Sequence, residues 1–443
     1  MLKTFRIGGI HPKANKLSAG KTIQSIEIPD EVSIPLAQHI GVPSQPVVKK
    51  GDKVKVGTLI GKSVGFVSAN IHSSVSGTVK KIDKVVDVSG YRRDAVIIGV
   101  EGDEWEDFVD RSETLIKECA LSQKEIIDKI AASGVVGMGG ATFPTHVKLM
   151  PPPGTKAEVL IINGVECEPY LTSDHQLMME KTEEVLIGTT LLMKALNVPK
   201  AIIGIENNKK DAIAKFSQLT SSYPGISIQP LEERYPQGGE KQLIDALIKR
   251  QVPSGALPIA VGAVVQNVGT TFAVYEAVQK NKPLIERIVT VTGEEVHNPC
   301  NIRSRIGIPF QALIDFAGGL PQNTGKIISG GPMMGKAVAS TDIPVTKGTS
   351  GILIISSSKA KRKTPKDCIR CAKCVQVCPM GLNPTLLMNL SEYAVWDRAE
   401  KNHIADCIEC GSCNYTCPAD RPLLDYIRLG KGKVMAIMKA RKN

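Results

Sequence analysis

Two hydrophobic periods alternate along the chain. Between about Leu115 and Lys282, continuous apolar runs at Val159–Ile162 and Ala201–Ile205 have the length and β-branched content of strands, and Ile226–Leu231 alternates more. A run apolar at every position implies burial on both faces of a sheet. Helical periodicity fills the gaps, at about Asp174–Leu196, Asp211–Leu219 and Glu240–Lys249. Ser122-Gln-Lys-Glu125 is a capping-box signature, and Ile126, Ile127, Ile130 and Ala131 form the apolar face behind it. This strand–helix succession predicts a parallel sheet. On either side the period changes to two. Lys50–Gly61 and Ile71–Ile82 precede it, and Ile288–Gly293 follows, all punctuated by glycine turns.

Composition narrows the reading. Of 443 residues, 42% are apolar and 22% charged, which excludes a disordered or fibrous chain. No stretch approaches the ~18 apolar residues of a membrane span. Met1–Ile10 has no signal-peptide core, so a cytoplasmic or cytoplasm-facing protein is expected. The formal net charge of +11 favours acidic partners. Aromatics at 4% are too few to read single-stranded nucleic acid by stacking, so no nucleic-acid partner is expected.

Cysteine is the sharpest signal. Eight of the 11 fall between Cys368 and Cys417, while Cys119, Cys167 and Cys300 are scattered and read as small buried residues. Cys368-x2-Cys371-x2-Cys374-x3-Cys378-Pro379 and Cys407-x2-Cys410-x2-Cys413-x3-Cys417-Pro418 are both the run that binds 4Fe-4S clusters in two-cluster ferredoxins. Three close thiolates wrap three corners of a cubane, and the fourth cysteine reaches across. Cys368, Cys371, Cys374 and Cys417 are therefore expected to hold one cluster, and Cys407, Cys410, Cys413 and Cys378 the other. C-x2-C pairs also bind zinc, but zinc would not need two copies of a four-cysteine run ending in Cys-Pro.

Four segments of the α/β region carry candidate chemistry. Gly134–Lys148 contains Gly137, Gly139 and Gly140, where backbone amides can approach a ligand, and Lys148, which can neutralise phosphate. Ile162–Tyr170, with Asn163, Glu166 and Glu168, leaves the C-terminal end of a strand, where ligands sit in open sheets. Tyr235–Lys241 enters a helix, a natural anion site. Gln266–Thr270 is the fourth. Singly, each reads as turns and solvated carboxylates. Together they resemble the flavoprotein, NADH-oxidising subunit of respiratory complex I. That resemblance implies that Gly137, Gly139, Gly140, Lys148, Asn163, Glu166, Tyr235, Gly238, Asn267 and Thr270 hold FMN. It also implies that Phe143, Glu168 and Glu240 face the nicotinamide nucleotide, with Glu168 and Glu240 as catalytic candidates. At Met138, His146, Val165 and Gly239 the sequence departs from that family.

The flanks complete the order. The N-terminal strands resemble the barrel-sandwich fold of biotinyl and lipoyl carriers, but Val67-Ser-Ala69-Asn70-Ile71 lacks the carrier lysine, implying a structural or docking domain. Arg287 to about Gly319 resembles the soluble-ligand-binding β-grasp module of the complex I flavoprotein. The expected partition is 1–110 barrel-sandwich, 111–284 Rossmann-like FMN/NADH domain, 285–357 β-grasp module and return segment, 358–428 two-cluster ferredoxin-like domain, and 429–443 basic tail. In the tail, Val434, Ile437 and Met438 form an apolar stripe, compatible with an interfacial helix on an anionic membrane or with a plain solvated end. This multidomain α/β order is similar to the RnfC family, found in Rnf-type ion-translocating ferredoxin:NAD+ oxidoreductases. The resemblance implies two 4Fe-4S clusters, FMN and NAD(H), peripheral attachment to membrane subunits at the cytoplasmic face, an iron–sulfur partner subunit, and ferredoxin, met directly or through another subunit. The cobalamin reductase of propanediol-using microcompartments shares the flavin domain and paired clusters. A flavin-free electron wire or scaffold is a third reading, for which Val165 and Gly239 speak.

Overall fold

A computed structural model describes residues 2–441. Its centre is a four-stranded parallel sheet in the order Ile226–Leu231, Ala201–Glu206, Val159–Gly164, Ala263–Asn267. The chain steps outward twice from Val159–Gly164 and then returns to its other side. The two strands at that reversal end level, with Asn163 opposite Asn267. A crevice outside such a switch point is where open α/β sheets take ligands.

The apolar runs are buried on both faces, as their pattern predicts. Leu160 and Ile162 pack on the side of Val185, Leu191 and Val274, while Val159 and Ile161 meet Leu243 and Leu247. Ser122 and Glu125 form the reciprocal capping box at the start of helix Gln123–Ala132. The expected helix Asp174–Leu196 is two helices, Ser173–Glu180 and Thr182–Leu196. The Thr182 hydroxyl donates to the Met178 carbonyl at 2.6 Å and competes for a helix acceptor, and Glu183 and Glu184 favour a fresh N-terminus.

Two small sheets form the N-terminal barrel-sandwich, Glu31–Pro35, Arg92–Val100, Gly77–Val86, Lys53–Val54 and Gln45–Pro46, Leu59–Lys62, Ile71–His72. Its core is continuous with a six-stranded mixed sheet, because Val32, Ile34, Ile60 and Ile98 share one cluster with Val289, Ile302, Phe310 and Ile352. That larger sheet has the order Ile23–Ser25, Cys300–Arg305, Glu286–Thr292, Gly351–Ser356, Thr324–Ser329, Lys336–Val338. The leading segment therefore runs outside the barrel. Lys3 bridges Leu231, Ile10 bridges Tyr235, and Ile23–Ser25 is an edge strand of the larger sheet.

The C-terminal module wraps helices Pro384–Glu392, Trp396–Lys401 and Leu423–Ala440 around Leu387, Ile404, Ile427 and Val434. The apolar stripe of the tail is thus used internally, with Val434 fully buried and Met438 packed on the same cluster. Leu429 and Met435 remain exposed on the same helix, and Lys442 and Asn443 lie outside the described residues. Among the described residues, no helix is long and apolar enough to cross a membrane.

Candidate flavin and iron–sulfur site

The crevice at the sheet reversal is built from the four segments singled out in the sequence. Asn267 caps helix Val268–Gln279, its side-chain oxygen accepting from Gly269 N at 2.8 Å and Thr270 N at 3.3 Å. Thr270 in turn accepts from Met138 N at 2.8 Å, which moors the glycine loop on that helix. Gly137 N donates to Phe143 O at 2.8 Å, closing the loop on itself. Gly139 lies so close to Asn267 that a Cβ would stand 3.2 Å from its side chain. Across the crevice, Asn163 donates to Gly238 O at 2.9 Å. Lys148 and Glu240 meet at 2.7 Å at its edge, both partly exposed. Such a pair is worth at most about 1 kcal/mol, so an anionic ligand can take the lysine at little cost.

These residues fit a phosphate-bearing flavin. The glycine loop leaves backbone free of side chains beside a twelve-residue helix N-terminus. On the same elements, the buried Thr145 Oγ1 and Gln266 Nε2 have no hydrogen-bond partner among the described residues.

Three candidates have their polar atoms engaged elsewhere. Glu166 caps helix Ser173–Glu180, accepting from Asp174 N at 2.7 Å and His175 N at 3.1 Å. Glu168 turns toward the 330–335 loop of the six-stranded sheet, accepting from Met333 N at 3.1 Å and Met334 N at 2.8 Å. Burial pushes its carboxyl up to about 7. Tyr235 is buried, and its hydroxyl donates to Cys410 O at 2.8 Å. Burial raises its phenol above the ordinary value. Glu168 and Tyr235 thus join the flavin domain to other modules rather than lining a nucleotide site with their polar ends.

Several buried charges went unseen in the sequence. Lys16 donates to the carbonyls of Glu166, Glu168 and Leu171 at 2.9, 2.9 and 2.7 Å. Lys209 holds Val165 O at 2.7 Å, so two lysines clamp the turn where the related family has an aspartate in place of Val165. Lys347 donates to Asn70 O and Gly134 O, each at 2.6 Å, pinning the hairpin that lacks a carrier lysine to the root of the glycine loop. Burial lowers its ammonium to about 7. Arg287 reaches Met138 O at 3.4 Å beside Asp174, whose carboxyl is raised by burial and by Glu166. Isolated lysines and arginines far from the motif carry no local pattern, so no sequence signal marked them.

The cysteines divide into two environments. Cys368, Cys371, Cys374 and Cys417 line one hollow of about 350 Å³, so the last cysteine of the second run joins the first three of the first. Cys378 is absent from that lining. It sits instead with the other three, for the Cys413 thiol is raised by burial and by its neighbours Cys410, Cys407 and Cys378. Among the described residues no three Cys, His, Asp or Glu side chains come close enough to hold a single metal ion. Four cysteines drawn from two such runs around one hollow are the donor set of a cubane. The Cys378 end abuts the flavin domain. Gly9 N donates to Val377 O at 2.8 Å, Gln242 donates to Pro379 O at 3.3 Å, and Ile10, Tyr235 and Cys410 share a small core flanked by Cys167.

The fold and site define a multidomain α/β flavin and iron–sulfur electron-transfer protein. Family models match along the chain as a RnfC barrel sandwich hybrid domain over residues 3–103, a Nuo51 FMN-binding domain over 130–276, an SLBB domain over 288–337 and a 4Fe-4S dicluster domain over 360–418. The chain is 49% identical to the C subunit of the proton-translocating ferredoxin:NAD(+) oxidoreductase complex of Clostridium ljungdahlii, over 98% of this chain and 94% of that one. It is 46% identical to the Na(+)-translocating counterpart of Acetobacterium woodii, over 98% and 97%. It is 39% identical to the C subunit of the ion-translocating oxidoreductase complex of Rhodobacter capsulatus, over 98% and 84%. The chain belongs to this family, the RnfC-type C subunits of ion-translocating ferredoxin:NAD(+) oxidoreductase complexes. An NAD+-reducing nickel–iron hydrogenase in its air-oxidized state shares the fold, at a TM-score of 0.52 and 17% identity over 71% of this chain and 66% of that one.

Proposed function

We propose that this protein exchanges hydride with NAD(H) at FMN in the crevice and single electrons with its complex through two 4Fe-4S clusters. The inner cluster is held by Cys378, Cys407, Cys410 and Cys413, and the outer by Cys368, Cys371, Cys374 and Cys417. When bound, FMN supplies the conversion between a hydride pair and single electrons, and the clusters accept those electrons one at a time. The chain's own residues do the rest. Gly137, Gly139 and Gly140 would present backbone to the cofactor, and Lys148 would neutralise its phosphate. Asn163, Gly238, Asn267 and Thr270 keep the walls fixed, with Glu166 bracing the turn from behind. Phe143 and Glu240 flank the nicotinamide side. Glu168 anchors the turn to the 330–335 loop between domains.

The observation that carries this reading is the Tyr235 hydroxyl on the Cys410 carbonyl, which puts one wall segment of the crevice in contact with one cluster loop. In the complex the protein docks peripherally on membrane subunits at the cytoplasmic face, beside an iron–sulfur subunit, with ferredoxin met directly or through another subunit. The purified chain, reconstituted anaerobically, tests it. About eight iron and one FMN per chain, both chromophores bleached by NADH, are expected. Eight iron with no flavin and no response to NADH would leave only an electron wire.

A further inference from the structure

The barrel-sandwich ends in a pair of tight turns, residues 39–42 and 64–68, that brace each other. Val42 N donates to Val67 O at 3.1 Å, and the Ser68 hydroxyl donates to Val42 O at 2.9 Å. Gly41 has φ +109, and a Cβ there would stand 2.0 Å from Val67 O, so neither turn can shift alone. Both turns are moored to the segment of the glycine loop. Ile40 N donates to Thr142 O at 3.3 Å, and the Phe66 backbone lies against the His146 ring. Lys347 ties the same hairpin to Gly134 through Asn70.

This fixed support holds an aromatic ring in water. Phe66 is 64% exposed and takes no part in the barrel core, and Ile40 and Val42 on the facing turn are half exposed. An apolar patch on a rigid mount is more favourable once covered. The neighbouring crevice says by what. A nicotinamide that passes hydride must lie on the flavin ring inside it, so the rest of the dinucleotide has to leave across a rim. Residues 139–141 are such a rim, exposed and joined directly to Thr142, and nothing stands within 4 Å of a Cβ built at Gly140. A purine leaving there needs only a flat apolar partner, because bases stack on aromatic side chains through their faces.

We infer that Phe66 is a nucleotide-binding residue lent by the barrel-sandwich, on which the adenine ring of NAD(H) stacks at the rim of the crevice. The inference rests on the proposed exchange of hydride with NAD(H). It gives the carrier-like hairpin, which has no lysine, a part in the site.

Calorimetry of the holo chain with ADP-ribose, which has the adenine end and no nicotinamide, tests it. Phe66→Ala is expected to bind at least about tenfold more weakly, with FMN and iron content as in the wild type. Phe66→Trp should restore the affinity, and ADP-ribose should quench the added indole emission, which a purely structural role would not produce. Phe66→Leu, apolar but not aromatic, should bind nearly as weakly as Phe66→Ala. Wild-type affinity in Phe66→Ala or in Phe66→Leu overturns the proposal. Wild-type affinity in Phe66→Ala together with lost assembly into the complex makes the patch a subunit contact instead. A wild-type chain bleached by NADH that does not bind ADP-ribose overturns this inference alone. One that neither bleaches nor binds overturns the proposed function with it.

Discussion

Cys410 is buried where the flavin domain, the N-terminal segment and the 330–335 loop converge, and Cys413 in the core of its own module, whereas Cys368 and Cys371 stand exposed on a basic segment. The two sites are written with the same cysteine spacing, so the run itself does not decide which is inner. What decides is packing from distant parts of the chain. Tyr235 reaches Cys410, Gly9 reaches Val377 and Gln242 reaches Pro379. No comparable residue from another domain reaches the hollow around Cys368, whose lining among the described residues comes from 368–423 alone. A motif brings the cysteines together, and the surroundings set which site lies against the flavin domain.

Deleting one site at a time should break this comparison most visibly. Cys413→Ala is expected to lower iron from about eight to about four per chain and to abolish reduction of the outer cluster by NADH. Cys371→Ala should lose as much iron while the inner cluster still reduces. Iron assay and EPR read both. If the two variants behave alike, the order is wrong.

A smaller effect is expected where the N-terminal segment touches the inner loop. Gly8 has φ +72, and a Cβ there would stand 2.5 Å from the Cys378 carbonyl carbon. Gly8→Ala should cost about 2 kcal/mol, seen as a lowered Tm, and disturb the inner EPR signal while leaving the outer one intact. Gly432, which has open space around it, is the matched control.

The pH dependence should also separate the sites. Glu168 titrates near 7 in the fold, above its ordinary 4.5. Between those values the folded state keeps a proton that the unfolded state releases, so stability is fully present below about 4.5 and is lost as pH rises toward 7. With water still reaching this half-buried carboxyl, the loss is about 1–2 kcal/mol. Thermal melts from pH 5 to 8 should show the slope, and Glu168→Gln should flatten it. A slope unchanged in the variant would assign the effect elsewhere.

Tyr235→Phe makes the finest cut. It leaves the Cys410 carbonyl without its donor and should cost about 1 kcal/mol. The inner cluster's EPR signal should change and the outer's should not, with FMN content unaltered. A variant that loses FMN instead would return Tyr235 to the flavin wall.

Much of this was legible in the sequence, for identifiable reasons. Continuous apolar runs such as Val159–Ile162 announce a strand buried on both faces, and the Ser122–Glu125 box is a local hydrogen-bond pattern. The glycine loop, Asn163, Asn267 and Thr270 converge because they end or begin elements at one sheet reversal. What was hidden depends on long-range closure. Lys16, Lys209 and Lys347 look like ordinary surface lysines until the fold buries them on carbonyls. The stripe at Val434 and Met438 has the same period whether it meets lipid or its own domain. Glu168 and Tyr235 stand in motif segments, but their side chains turn to modules that the motif does not contain.

Rapid-freeze EPR on the holo chain after mixing with NADH tests the central claim most directly. The inner signal, identified as the one missing in Cys413→Ala, is predicted to rise first, with the outer signal following. An outer signal that rises first, or that rises at the wild-type rate in Cys413→Ala, would contradict the account.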